Sequence, residues 1–160
     1  MFRQIERYVL AFVRCYLGGF YLVSGLNFFL HFWAQPIPQD PTGAAYMNVT
    51  LTLGLFQLAK VVEAVGGFLL LFDIAVPFAL VFLFPIATTV MIMNWFFADL
   101  IHVRISGMRN FVMHIILFAG YAGYFLPLLK FGARPSPIWR TGEQAAGAAA
   151  ISPSGALQNG

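Results

Sequence analysis

One cysteine, Cys15, stands in the whole chain of 160 residues. A single thiol excludes an internal disulfide, a CxxC redox pair and any multi-cysteine metal or iron-sulfur cage, so any electrons handled here are carried by another group. Charge is as scarce. Only 9% of residues are Asp, Glu, Lys or Arg, against roughly 25% in an ordinary soluble domain. The formal net charge of +3 is modest, and the arginines are scattered without a basic face, which argues against nucleic acid as a partner. The apolar runs lack the inside-outside alternation of a membrane β-barrel, which argues for helices instead.

Hydrophobic residues make up 60% of the chain, 18 of them phenylalanine. Several runs reach the roughly 20 apolar residues that a helix needs to cross a hydrocarbon core, and backbone hydrogen bonding leaves helices as the spanning element. The expected fold is all-α: a transmembrane four-helix bundle over residues 1–130, with spans at about 8–33, 55–72, 77–97 and 111–129. Arg3 and Arg7 precede a first run too long for a signal-peptide core, and no small-x-small cleavage site follows it, so that helix is expected to be retained. Asp40 before Pro41 starts a short surface helix over 41–53, which Gly54 breaks. Pro77 sits where a first-turn proline is tolerated, and Pro85 is expected to kink the third span. "ADLIHVRISGMRN" reads as a polar connector.

Residues 131–160 turn to alanine, proline and glycine, a low-complexity tail expected to be disordered. Four spans put both termini on one side. Arg3, Arg7, Lys130, Arg134 and Arg140 assign that side to the cytoplasm by the positive-inside tendency, with Arg104 and Arg109 counting against it. The expected location is a bacterial cytoplasmic (inner) membrane, multi-pass.

"LFQLAKVVEAVGGFLLLF" at 55–72 is lipid-seeking yet carries Lys60 and Glu63. An ionisable group at that depth costs several kcal/mol unless it is paired, reaches the interface or faces a wet cavity. Arg14 and Glu63 come out at similar depths when counted from their helix ends at about 1.5 Å per residue. Arg14, Gly18 and Gly25 share one stripe of the first helix, and Glu63 and Gly67 share one on the second. The expectation is therefore an Arg14–Glu63 pair across a glycine-lined contact, with Lys60 sharing Glu63 or extending to the interface. Such a pair either borders a substrate or proton site or serves as a clip that fixes helix register.

A second polar group gathers toward the expected outer side. His31 closes the first span, His102 lies in the third connector and His114 is placed one turn into the fourth span, with Asn27 and Asn94 at compatible depths and Asp99 beyond. Tyr21, Trp33, Trp95 and Phe96 could wall a pocket opening outward. Histidine there can hydrogen-bond a quinone carbonyl, shuttle a proton or ligate haem or copper. No spacing specifies a metal site. Haem would need His31 and His114 facing each other and is disfavoured, while a quinone fits the residue types. Interfacial His, Asn and Trp also simply sit at headgroup level, as aromatic belts do. Ala119 and Gly123 in "AGYAG" have small-xxx-small spacing suited to another helix.

"RCYLGGFYLVSGLNFF", "KVVEAVGGFLLLF" and "VPFALVFLFPIA" together resemble the DoxX-like family of small four-span membrane proteins, over roughly residues 7–129. Lys60, Glu63 and the double glycine are the most specific part of the resemblance. It implies a membrane partner of redox or thiol-handling systems. The family takes its name from a subunit associated with a terminal quinol oxidase and thiosulfate:quinone oxidoreductase. "SGLNFF" departs from it where many relatives carry a lysine after the Ser-Gly pair, which suggests a different subgroup. The expected role is an accessory subunit of a redox or energy-converting membrane complex, in contact with lipid and other membrane subunits. The alternatives are a membrane subunit of a sulfur-compound:quinone oxidoreductase and a small-solute carrier.

Overall fold

The computed structural model describes residues 2–34 and 38–126; the tail at 131–160 and the basic residues Lys130, Arg134 and Arg140 lie outside them. The described residues are helical, without strands: α1 (Phe2–Leu30), α2 (Pro41–Thr52), α3 (Leu55–Leu71), α4 (Val76–Phe97), α5 (Ile101–Gly120) and the single turn α6 (Ala122–Phe125). Two helices, Gln4–Leu30 and Val76–Phe97, are long and apolar enough to cross a membrane, and the pair α2 and α3, bent by 83° at their junction, makes a third if it counts as one span.

Local chemistry explains where each helix stops. His31 adopts a left-handed backbone, φ 56°, and its N–H bonds the Asn27 carbonyl at 2.8 Å, the single-bond ending of a helix C-terminus. The buried Asn27 side chain adds two bonds to Trp33, accepting from its N–H at 2.9 Å and donating to its carbonyl at 3.2 Å. Asp40 caps α2 by accepting the N–H groups of Thr42 and Gly43, with Pro41 following at the first-turn position where its missing N–H is harmless. Gly54, at φ +74°, makes the turn into α3. At the other end of α3, Ile74 N–H reaches back to the Leu69 carbonyl and Asp73 N–H to that of Leu70. This is a Schellman ending in which Asp73, rather than glycine, takes the left-handed position at φ 63°.

Helices α1, α3, α4 and α5 pack antiparallel in sequence around one core of Leu17, Leu70, Leu80, Leu83 and Leu117, all fully buried. The end where α1 begins is called proximal below, the other distal. α1 and α3 touch backbone to backbone. A Cβ on Gly18 would lie 2.7 Å from Leu71 N, and one on Gly25 2.6 Å from the Lys60 carbonyl oxygen. A Cβ on Gly67 would come closer still to Leu22 N. These three glycines set the register, pairing residue 18 with 67–71 and residue 25 with 60–64.

The fourth long helix differs from its expected position. It begins at Ile101 and ends at Gly120, so "HVRISGMRN" is helix and not connector. No proline interrupts it, Gly107 packs on the Asn94 side chain, and the Arg104 guanidinium Nε donates to the Ala98 carbonyl at 2.7 Å. The first helix likewise starts six residues before the expected 8 and ends at Leu30.

Replacing Asn27 with Ala leaves the Trp33 N–H and carbonyl without these partners. Trp33 is exposed and can turn to water, so an expected loss of about 1 kcal/mol follows, the net worth of an ordinary hydrogen bond. The thermal midpoint in detergent checks it; an unshifted midpoint would show that the cap carries no stability.

Candidate functional site

Lys60 and Glu63, three residues apart, project from one face of α3 toward α1 and are buried, at 7% and 3% exposure. Their ion pair measures 2.7 Å, Nζ to Oε2. Because Gly25 lets the helices close up, the neighbouring Ser24 hydroxyl reaches the same carboxylate oxygen, donating at 2.8 Å, while Lys60 Nζ donates to Ser24 Oγ at 3.0 Å. The ammonium also lies over the Phe56 ring, 5.3 Å from its centroid. Three polar groups thus satisfy one another away from water, the condition under which buried charge is tolerated.

Arg14 does not pair with Glu63. It meets Asp73 instead, at the proximal turn between α3 and α4. Counting depth from helix ends misplaced it, because the register is fixed by the glycine contacts. Residue 18 already faces Leu71, so residue 14, one turn further, lies past the end of α3 where Asp73 waits. Asp73 is 63% exposed and Arg14 largely covered.

His114 is the second correction. With α5 starting at Ile101 it lies 13 residues into the helix, roughly 20 Å from its distal end. It is fully buried, and its Nε2 lies 3.0 Å from the Leu80 carbonyl near the proximal start of α4. A carbonyl only accepts, so Nε2 carries the proton and Nδ1 is the bare acceptor. That Nδ1 has no partner among the described residues. One turn distal on the same face, buried Asn110 has neither amide atom bonded to a described residue, and the same holds for the Tyr21 hydroxyl, whose ring lies 6.2 Å from that of His114.

The expected outer pocket is not assembled. Asn27 serves the end of α1, His31 is the exposed residue that terminates it, Asp99 and His102 are exposed, and Asn94 is half-buried against Gly107. His114 belongs to the proximal half. Trp33, Trp95 and Phe96 are exposed. Among the described residues no three His, Cys, Asp or Glu side chains are grouped to hold a metal ion. Gly18, Gly25 and Gly67 lie in the α1–α3 contact, whereas Ala119 and Gly123 are exposed and Gly123 has nothing within 4 Å of its Cβ position.

From distal to proximal, inward polar groups, buried or half-buried, follow one another at intervals of about a helical turn and end at the exposed Asp73. Gln57, Lys60 and Glu63 descend α3; Ser24 and Tyr21 descend α1; Asn110 and His114 descend α5; Arg14 with Asp73 closes the series. Five of these residues had no part in the expected site or only a wall's part: Gln57, Ser24, Tyr21, Asn110 and Asp73. For all but Asp73, a turn residue, the signal was the spacing of three or four between polar residues in otherwise apolar sequence, which puts them on inward stripes.

Comparisons with protein-family models, with curated proteins and with solved structures find no match.

Chemically, the site can hold a mutually neutralised acid and base. It can also offer water or another hydroxylic group a donor at Tyr21, both functions of an amide at Asn110 and an acceptor at His114.

Proposed function

We propose that the chain is a four-span integral membrane protein of DoxX-like type, an accessory subunit of a redox or energy-converting complex in a bacterial inner membrane. Both termini lie in the cytoplasm on this reading, and the proximal end faces that compartment. Its support begins with the surface. Phe12 and Val23 on α1, Val61 and Val65 on α3, Phe78 and Phe82 on α4, and Val112 and Ile116 on α5 are all exposed, while Lys60 and Glu63 point inward. At 17 residues α3 extends roughly 25 Å, close to the hydrocarbon thickness, and α5 at 20 residues extends further.

The observation that carries the accessory-subunit reading is Arg109. It lies eight residues into α5 on an outward stripe with the exposed Ile105, Val112 and Ile116. Its guanidinium stacks on the Tyr16 ring at 5.3 Å and, among the described residues, hydrogen-bonds only the Ser106 hydroxyl, at 3.4 Å. A guanidinium among lipid-facing side chains is costly without an acidic partner. The exposed small residues Ala119 and Gly123 would let a partner helix approach further along that side.

Purification from native membranes in mild detergent is expected to yield the chain together with a cofactor-bearing membrane subunit, and Arg109→Ala is expected to release that subunit while leaving the unfolding free energy of the isolated chain within about 0.5 kcal/mol of wild type. Recovery of a lone chain from native membranes would refute the reading.

A further inference from the structure

We propose that the inward-facing polar groups form a hydrated proton path through the helices, running from Gln57 and Lys60–Glu63 past Tyr21, Asn110 and His114 to Arg14–Asp73. The inference rests on the spanning half of the function proposed above and not on the redox partner. Five buried atoms along this line have no hydrogen-bond partner among the described residues: Gln57 Oε1, Tyr21 Oη, both amide atoms of Asn110 and His114 Nδ1. Buried polar groups are nearly always bonded, and where protein supplies no partner an internal water usually does, with about three bonds each. These five atoms are not scattered. They fall on the inward stripes of α1, α3 and α5: Gln57 sits one turn distal to Lys60, and the other four atoms bridge the gap between the two ion pairs.

The levels agree across helices. Gly67 of α3 faces Leu22, next to Tyr21; Gly66 faces Leu83 of α4; and Leu80, one turn proximal to Leu83, holds His114. Tyr21, Asn110 and His114 therefore lie within about two turns of one another, just proximal to Glu63. Among the described residues, the titratable or charged groups facing this segment are Tyr21 and Arg14 from α1, Lys60 and Glu63 from α3, Asp73 from the following turn, and Tyr121, beside Arg14 and Asp73 at the proximal end. Helix α4 contributes the Leu80 carbonyl and no titratable side chain.

The chemistry is proton transfer alone. Each water accepts one proton and releases one, no bond other than O–H or N–H changes, and no electron moves. His114 Nε2–H is committed to Leu80, so the ring takes up and returns its proton at Nδ1 and works as a station beside the water, not as a relay through the imidazole.

Purified chain in vesicles of neutral lipid, under a potassium-driven membrane potential, is the test, with internal pH followed by a trapped dye. Spanning is checked separately by reaction of an impermeant thiol reagent with cysteines placed at Ile74→Cys and Asp99→Cys in a Cys15→Ser background. Labelling of the two from opposite sides verifies the topology on which the path rests, and labelling from one side only would refute the four-span reading and the path with it.

With spanning verified, wild-type vesicles should acidify faster than protein-free ones. Tyr21→Phe and Asn110→Leu, which remove polar atoms without removing volume, should bring the rate down to the protein-free rate. A wild-type rate equal to that of empty vesicles, or variants that keep the wild-type rate, would overturn the path. Nitrogen NMR of His114 gives a reading independent of variant folding. The path requires an Nδ1 signal that responds to exchange of H2O for D2O, and an unresponsive Nδ1 would show a dry interior and refute it.

Discussion

Gly67→Ala is expected to be the most damaging small substitution in the chain. The added methyl would fall against Leu22 N and the Gly18 carbonyl oxygen, the latter at 2.8 Å. Both are backbone atoms, so no rotamer change relieves the contact and the helices must separate. Separation undoes more than one van der Waals contact: Gly18 and Gly25 lie in the same interface, and the Ser24 hydroxyl reaches Glu63 only because α1 and α3 touch. Overpacking of a core costs about 1–3 kcal/mol, occasionally more. Here, with backbone on both sides, a loss of about 3 kcal/mol or more is expected, seen as a lower thermal midpoint and a reduced yield of monodisperse protein.

Two other glycines provide internal controls. Gly66 faces the Leu83 side chain and not backbone, and a side chain gives way more cheaply than two helix backbones, so Gly66→Ala should cost less. Gly19 has nothing within 4 Å of its Cβ position, so Gly19→Ala should be neutral or stabilising by up to about 1 kcal/mol through helix propensity. The predicted order of midpoints is Gly19→Ala above Gly66→Ala above Gly67→Ala, and a Gly67→Ala midpoint equal to wild type would remove the close-contact account of the α1–α3 interface.

That interface was readable from sequence because glycine at helical spacing has few other uses in an apolar run. The start of α5 was not. Arg104, Ser106, Arg109 and Asn110 lower the average hydropathy of the segment, and an average cannot tell an inward Asn110 or a Tyr16-stacked Arg109 from a loop residue. The backbone is indifferent to which face is polar, and with no proline or capping signal after Ile101 the helix continues. The ten-residue error then moved His114 from the proximal half to the distal rim and created a pocket that the fold does not contain. Arg14 failed for a related reason: depth was counted from helix ends, while register between two helices is set by which residues allow contact. Asp73 was legible only as a turn residue. Its second role follows from the left-handed backbone that the turn imposes, which leaves its carboxylate at the level of Arg14.

Breaking the Lys60–Glu63 pair should show whether the charges are a clip or a burden. Glu63→Leu leaves a buried ammonium with the Ser24 oxygen as its remaining hydrogen-bond partner, at 3.0 Å; Lys60→Leu leaves a buried carboxylate with the Ser24 hydroxyl, at 2.8 Å. Each single change is expected to cost about 3–5 kcal/mol, the penalty for stranding one buried charge. The double change to Leu removes both charges, and similar replacements elsewhere are neutral or stabilising by about 1–4 kcal/mol. Stability measured by denaturant titration in micelles should therefore fall in both singles and return in the double, a coupling far outside the additivity of independent sites. Strictly additive losses would mean that the 2.7 Å contact is not an energetic pair. The rescued double variant also separates two roles: if it folds as well as wild type, stability does not require the charges, and a concurrent loss of proton flux would assign them to transport through the interior.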